Sequence, residues 1–251
     1  MLALQAAGLC AAALPLIEIG PPADPAPVHA AWATLPACAL VMFVSANAVQ
    51  HFFALGPAAQ PAWPAGVIAA CTGPGTAAAL RAAGVPATAI VLPPAGAPQE
   101  SESLWAQLAH RSWAGRQVCV VRGEQGRDWL AESLRAQGAD VNFVAAYHRQ
   151  PPTPDAAGRA LLTAARAAPD THLWLFSSSE AVANLQGLAP DADWSRSAAL
   201  ASHPRIAAAA RGAGFGTVAQ QDLAPADVAA WLRAQPSAEP LASPPLASPP
   251  R

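Results

Sequence analysis

The sequence predicts an α/β protein of two similar lobes, each a parallel sheet with flanking helices, with a cleft between them. Two observations carry that expectation: the chain repeats itself, and short apolar runs alternate with helical patterns. Phe43, Ser45, Ala48 and Val49 recur as Phe176, Ser178, Ala181 and Val182, 133 positions later. Pro74, Ala77, Arg81 and Gly84 recur as Pro204, Ala207, Arg211 and Gly214, 130 positions later. Leu4 and Gly8 recur at that same offset as Leu134 and Gly138. Three blocks in one order and nearly one register mark a duplication.

Taken in order, Leu2 to Ile19 is apolar but carries Gln5, Gly8, Pro15 and Glu18, and no cation precedes Arg81. It therefore fits neither a signal peptide nor a membrane span. Residues 14–19, before Pro21-Pro22, and 144–151, running into Pro152, read as extended connector strands. Leu40 to Val44 and His172 to Phe176 are apolar runs that end in small polar residues opening a helix. Ile68 to Cys71 and Ala198 to Ala201 are strands closed by the turns Gly73-Pro74-Gly75-Thr76 and His203-Pro204-Arg205. Val118 to Val121 runs into the loop Arg122-Gly123-Glu124-Gln125-Gly126. A helix follows over Asp128 to Gln137, with Trp129, Leu130 and Leu134 on one stripe and Gly138 stopping it.

The expected organisation is a middle lobe at 20–146 and a discontinuous lobe made of 1–13 with 152–235. Beyond Gln235 the chain is Pro-Ser-Ala with Leu-Ala-Ser-Pro-Pro written twice, so 236–251 is expected to be a disordered tail. The offset places the first copy's counterpart of strand Val118 to Val121 before Met1. The first strand of one lobe is therefore expected to be missing, through a misplaced start or a real truncation.

Composition narrows the chemistry. All 14 basic residues are arginine, against 16 acidic ones, for a net charge of -2. Without lysine there is no Walker A lysine, no Schiff base and no Ser-Lys pair. About half of the 53% hydrophobic residues are alanine, so the core rests on the larger aliphatic and aromatic side chains. A near-neutral chain without basic runs argues against nucleic acid as partner. Cys10, Cys38, Cys71 and Cys119 lie far apart with no C-x-x-C, as free thiols in a reducing, cytoplasmic setting do. The six histidines lack metal-ligand spacing.

The candidate site residues fall in the predicted strand-end loops. Gly73, Gly75 and Thr76 form either a tight strand-helix turn or an anion-binding helix start. Ser45, Asn47, Ser177, Ser178 and Ser179 are N-caps, donors to a ligand, or both. Arg122, Arg127, Arg149 and Arg205, with His203 beside them, suit carboxylate or phosphate recognition, or else surface pairing with Glu124, Asp128 and Asp155. Tyr147, the one tyrosine, is either a partly buried residue with a bonded hydroxyl or a proton donor at the cleft. No nucleophile elbow, Cys-His pair or close carboxylate pair is visible.

The ordered set Phe43-Val44-Ser45-Ala46-Asn47-Ala48-Val49, Cys71 to Ala77, Val121 to Arg127 and Tyr147-His148-Arg149 resembles the uroporphyrinogen-III synthase family, over about residues 4 to 233. The resemblance implies two α/β lobes joined by a two-stranded connector, and the cyclisation of hydroxymethylbilane with inversion of ring D and loss of water. It implies a lyase needing no metal or organic cofactor, and a monomer in transient contact with hydroxymethylbilane synthase. Its substrate is a linear tetrapyrrole with eight carboxylates, for which the arginines and loop donors are binding groups. Tyr147 matches the family's connector tyrosine, which assists departure of the hydroxyl. Two departures stand out: the opening strand is absent, and His203-Pro204-Arg205-Ile206 replaces the Gly-Pro-Gly-Thr turn in the second copy. The competing expectation, from another class, is an inactive two-lobed binding or regulatory module of the same fold.

Overall fold

The computed structural model describes residues 2–58, 62–124 and 128–234. In chain order the elements are α1 (Leu2–Ala6), β1 (Glu18–Gly20), α2 (Ala26–Thr34), β2 (Cys38–Phe43), α3 (Ala46–Ala54), β3 (Ile68–Cys71), α4 (Pro74–Ala82), β4 (Ile90–Val91), α5 (Ser101–Leu108) and β5 (Gln117–Gly123). They continue as α6 (Trp129–Ala136), β6 (Asp140–Gln150), α7 (Ala156–Ala167), β7 (Leu173–Phe176), α8 (Ser179–Leu188), β8 (Ala198–Ala201), α9 (Pro204–Gly212), β9 (Thr217–Gln220) and α10 (Pro225–Ala234). The chain divides into two compact units, Ile19–Gln150 and a discontinuous one of Met1–Glu18 with Pro151–Arg251. The proposed tail at 236–251 lies outside the described residues.

In the Ile19–Gln150 unit a six-stranded sheet runs in the order β1-β6-β5-β2-β3-β4. The β6-β5, β5-β2, β2-β3 and β3-β4 pairings are parallel. Side chains alternate across a strand, and here both faces are covered, so the central strands are almost wholly apolar. Val41, Phe43, Cys71 and Val121 face α2, α3 and α4 through Trp32, Phe52 and Leu80. Leu40, Met42, Val118 and Val120 face α5 and α6 through Leu104, Leu108 and Leu134. Three buried indoles also satisfy their N–H groups on backbone carbonyls: Trp32 on Phe52 (2.9 Å), Trp63 on Val67 (2.8 Å) and Trp113 on Leu108 (3.0 Å).

The other unit holds a three-stranded parallel sheet, β7-β8-β9. Phe176, Leu185, Trp194, Ile206 and Phe215 form its core. The Trp194 and Phe215 rings stack at 5.5 Å between centroids, and Trp174 meets Trp194 edge-on. Among the described residues β7 has β8 as its one neighbour, whereas β2 lies between β5 and β3. α1 has no buried residue, and Leu2 is 83% exposed. No described helix is long and apolar enough to cross a membrane.

The repeat is also visible in the backbone. α4 ends with the Gly84 amide donating to Arg81 and the Val85 amide to Leu80; α9 ends with Gly214 donating to Arg211 and Phe215 to Ala210. Both are Schellman caps, and Gly84 (φ +87°) and Gly214 (φ +92°) occupy the left-handed position that such caps require. Gly8 and Gly138 form a second such pair, at φ +81° and +83°.

Strands β3 and β8 span the residues the sequence predicts, and α6 runs from Trp129 to Ala136 with Gly138 just beyond it. α2, α5, α7, α10, β4 and β9 carry no comparable sequence signal. In α2 the buried positions are Val28, Ala31 and Trp32, in an alanine-rich segment that begins at a proline turn. Alanine on both faces blurs the helical period, and only packing against the sheet selects the inner one.

Candidate functional site

The groups that can do chemistry in the Ile19–Gln150 unit collect where β2, β3, β5 and β6 end. β2 delivers the chain to Ser45, which caps α3: its Oγ accepts the Ala48 amide at 3.2 Å. The same Oγ lies 3.3 Å from the hydroxyl of Tyr147, near the end of β6. Tyr147 is 3% exposed, with its ring in the core among Phe43, Val49 and Val121. Gly123 ends β5 against that ring; a Cβ there would lie 3.0 Å from Cε2 and 3.1 Å from Cζ. The His51 ring, one turn and a half along α3, stacks on the phenol at 6.0 Å. Asn47 stands on the first turn of α3, half-buried.

β3 ends at Cys71, and Gly73 then caps α4 in extended conformation, with Pro74 at the first helical position. Thr76 is buried at 8% exposure, while Gly75 is exposed with open space around its Cα. A Cβ on Gly73 would meet the Gln99 amide oxygen at 2.8 Å, so this turn and the Gln99-Glu100-Ser101 segment fit closely. Beside it lies a pocket of about 240 Å³ lined by Thr72, Gln99, Glu100, Ser101 and Arg122. The Arg122 side chain is 13% exposed, ion-paired with Asp128, and its guanidinium sits 4.4 Å from the centre of the Phe143 ring. Asp128 precedes α6 but makes no side-chain cap there. The pair and the ring hold the guanidinium in place, so it presents a fixed cation to the pocket. Arg149 is exposed near the end of β6, and Arg127 lies outside the described residues.

In the other unit Ser178 caps α8, accepting the Glu180 amide at 3.2 Å. Ser177 is exposed, and the Ser179 Oγ is buried without a partner. His203 caps α9 through Nδ1, which accepts the Arg205 amide at 3.2 Å; His203 and Arg205 are both exposed. Ser45 and Ser178 thus cap a helix in each unit, and His203 caps a further one in the second.

The two buried thiols, Cys71 and Cys119, provide no nucleophile. No disulfide forms among the four cysteines. Burial pushes Cys71 up to about 11, against the opposing pull of the Gly73 backbone and Arg81, and pushes Cys119 up to about 12. Both stay protonated at neutral pH. Among the described residues no group of three His, Cys, Asp or Glu side chains could hold a metal ion.

His51, Gly123 and Gln99 are site neighbours that sequence reading does not single out for these roles, whereas the Arg122–Asp128 pair is one of the two alternatives it offered for Arg122. Gly123 had a usable signal, a glycine ending an apolar strand, which marks a place of close approach. His51 had a weaker one, six residues after the cap on a helix whose inner face is apolar.

The fold and these strand ends define a class: duplicated parallel α/β proteins with hydroxyl, phenol and guanidinium groups gathered at the strand ends. The family model for uroporphyrinogen-III synthase HemD matches residues 2–226. The chain therefore belongs to the uroporphyrinogen-III synthase family. It is 33% identical over 203 residues to the uroporphyrinogen-III synthase of Synechococcus elongatus, covering 76% of this chain and 71% of that one. Two solved structures share the fold. A mutant uroporphyrinogen III synthase of the extremely thermophilic bacterium Thermus thermophilus has 19% identity and a TM-score of 0.54, over 92% of both chains. Uroporphyrinogen-III synthetase of Helicobacter pylori has 16% identity and a TM-score of 0.54, over 87% of this chain and 91% of that one.

Proposed function

We propose that this chain cyclises hydroxymethylbilane to uroporphyrinogen III, as a lyase that removes water while inverting ring D. Family membership supports the activity. The observation that carries the chemistry is the hydroxyl pair Ser45–Tyr147 at the end of the sheet, with Arg122 fixed on a neighbouring strand end.

The reaction needs little covalent help. The departing hydroxyl takes a proton and leaves as water, and the resulting electrophilic methylene is attacked by the substituted carbon of ring D. The bond from that carbon to its old bridge then breaks, the bridge re-forms to the free α-carbon on the other side of the ring nitrogen, and that carbon loses its proton on closure. Without control of shape the chain closes at the free carbon instead, so the protein's main work is to hold a bent substrate. Orientation of this kind lowers barriers by several kcal/mol. Arg122, Arg149 and Arg205 are carboxylate-binding candidates, and the amides at the starts of α3, α4, α8 and α9 supply further donors. Tyr147 is the acid that assists the hydroxyl's departure, its phenolic O–H being the donor that this requires. On this reading the chain works as a cytoplasmic monomer and takes its substrate in transient contact with hydroxymethylbilane synthase.

Incubation with freshly generated hydroxymethylbilane, followed by isomer analysis, is expected to give the III isomer. Formation of the I isomer alone would overturn the proposal, and would favour an inactive binding module.

A further inference from the structure

The two hydroxyls of the Ser45–Tyr147 pair are unequally exposed. Tyr147 is buried at 3% exposure and backed by Gly123, whereas Ser45 is half-buried at the start of α3. We propose that Ser45 is the group that meets the substrate's leaving hydroxyl, and that it relays to it the proton of Tyr147 behind. This rests on the reading of Tyr147 as the acid and assigns the contact to a different residue.

The hydrogen-bond inventory of Ser45 fits the role. A serine hydroxyl has one proton to donate and two lone pairs to accept with. One lone pair takes the Ala48 amide at 3.2 Å; either hydroxyl of the 3.3 Å pair can donate, and in the arrangement the relay uses Tyr147 donates to the other lone pair, which leaves the serine proton to point at a ligand. In the step, the Ser45 proton passes to the departing oxygen, the C–O bond breaks and water leaves. The Tyr147 proton moves to Ser45 Oγ, and the phenolate regains a proton from the one that the tetrapyrrole loses on ring closure. Atoms and charge balance with no further reactant. The transient negative charge lies at the N-terminal end of α3, where the helix dipole favours it. At 3.3 Å the pair is longer than the usual O–H···O distance of about 2.7–2.8 Å. Catalytic hydrogen bonds in ligand-free proteins are often long and tighten with substrate.

Asparagine separates a relay from a cap, because it caps helices as well as serine does but has no hydroxyl. Steady-state kinetics with hydroxymethylbilane and thermal unfolding are measured for Ser45→Asn, Ser45→Thr, Tyr147→Phe and the Ser45→Asn/Tyr147→Phe double variant. Ser45→Asn is expected to unfold like the parent yet lose turnover about a hundredfold with KM nearly unchanged, and Ser45→Thr to restore most of it. The double variant is expected to be no slower than the slower single one, as for groups that act as a unit. Full turnover in Ser45→Asn, or a double variant whose loss is the product of the two, would overturn the relay while leaving Tyr147 as the acid. Full turnover in Tyr147→Phe would overturn the underlying reading as well.

Discussion

The two units carry one plan to different ends. In both, an apolar strand ends in a phenylalanine and a serine that caps the next helix: Phe43 and Ser45 before α3, Phe176 and Ser178 before α8. In the Ile19–Gln150 unit, β5 and β6 extend the sheet beyond β2 and bring Tyr147 against Ser45. In the other unit β7 has β8 alone beside it among the described residues, and the Ser179 hydroxyl is buried without a partner. The same cap is therefore structural in both copies. On the proposed mechanism it becomes chemical in one, where a neighbouring strand sets a phenol 3.3 Å from the serine hydroxyl.

The largest expected effect tests whether the two units are equal as folded bodies. Phe43→Ala and Phe176→Ala each delete a fully buried ring, and each is expected to cost about 3–5 kcal/mol. Thermal or denaturant unfolding of the two variants checks this, and two transitions that respond separately would show that the units unfold independently.

Next, Tyr147→Phe removes the acid and leaves the ring in place. Turnover is expected to fall about a hundredfold with a small change in KM, as measured by steady-state kinetics on freshly made substrate. An unchanged rate would erase the chemical difference between the units.

Ser45→Ala and Ser178→Ala sharpen the comparison further. Each loses a helix cap, so each is expected to cost about 1 kcal/mol by denaturant titration. At equal stability loss, Ser45→Ala is expected to lower kcat, whereas Ser178→Ala is expected to act on KM.

The mildest effect concerns the thiols. Cys10 in the discontinuous unit is exposed, whereas Cys71 and Cys119 are buried in the other with their ionisation pushed up to about 11 and about 12. At neutral pH these shifts change nothing, because the thiols are protonated both folded and unfolded. Above about pH 9 the unfolded chain releases these protons while the folded one keeps them, so stability is expected to fall as pH rises towards 11 and 12. Unfolding free energies at pH 8 and pH 10 for Cys119→Ala against the parent check the sign. A thiol reagent at pH 8 is expected to label Cys10 quickly and Cys71 and Cys119 slowly.

Much of the fold was legible because its signals are local. The runs at Ile68–Cys71 and Ala198–Ala201 are short apolar segments bounded by turn residues and repeated at one offset, and the stop at Gly138 is a left-handed glycine cap, so none needs a distant partner. α2 and α10 were not, since an alanine-rich helix has little period of its own. At the site, the cap at Ser45 could be read from the chain. Its partnership with Tyr147, which lies 102 residues away, could not. Nor could the choice of Arg122 between Asp128 and a ligand, which depends on where Phe143 sets the guanidinium.

By itself, then, the sequence determined the duplication, the alternation of strand and helix, the residue types available and, through its ordered motifs, the family they resemble. Only the tertiary structure decided which hydroxyl meets which. It buried the phenol on β6 beneath Gly123 and left the serine on α3 half-exposed. The order of exposure along that pair is set by the register of β5 on β6, with Gly123 opposite Tyr147 across a shift in the pairing, and a sequence carries no direct record of register between strands.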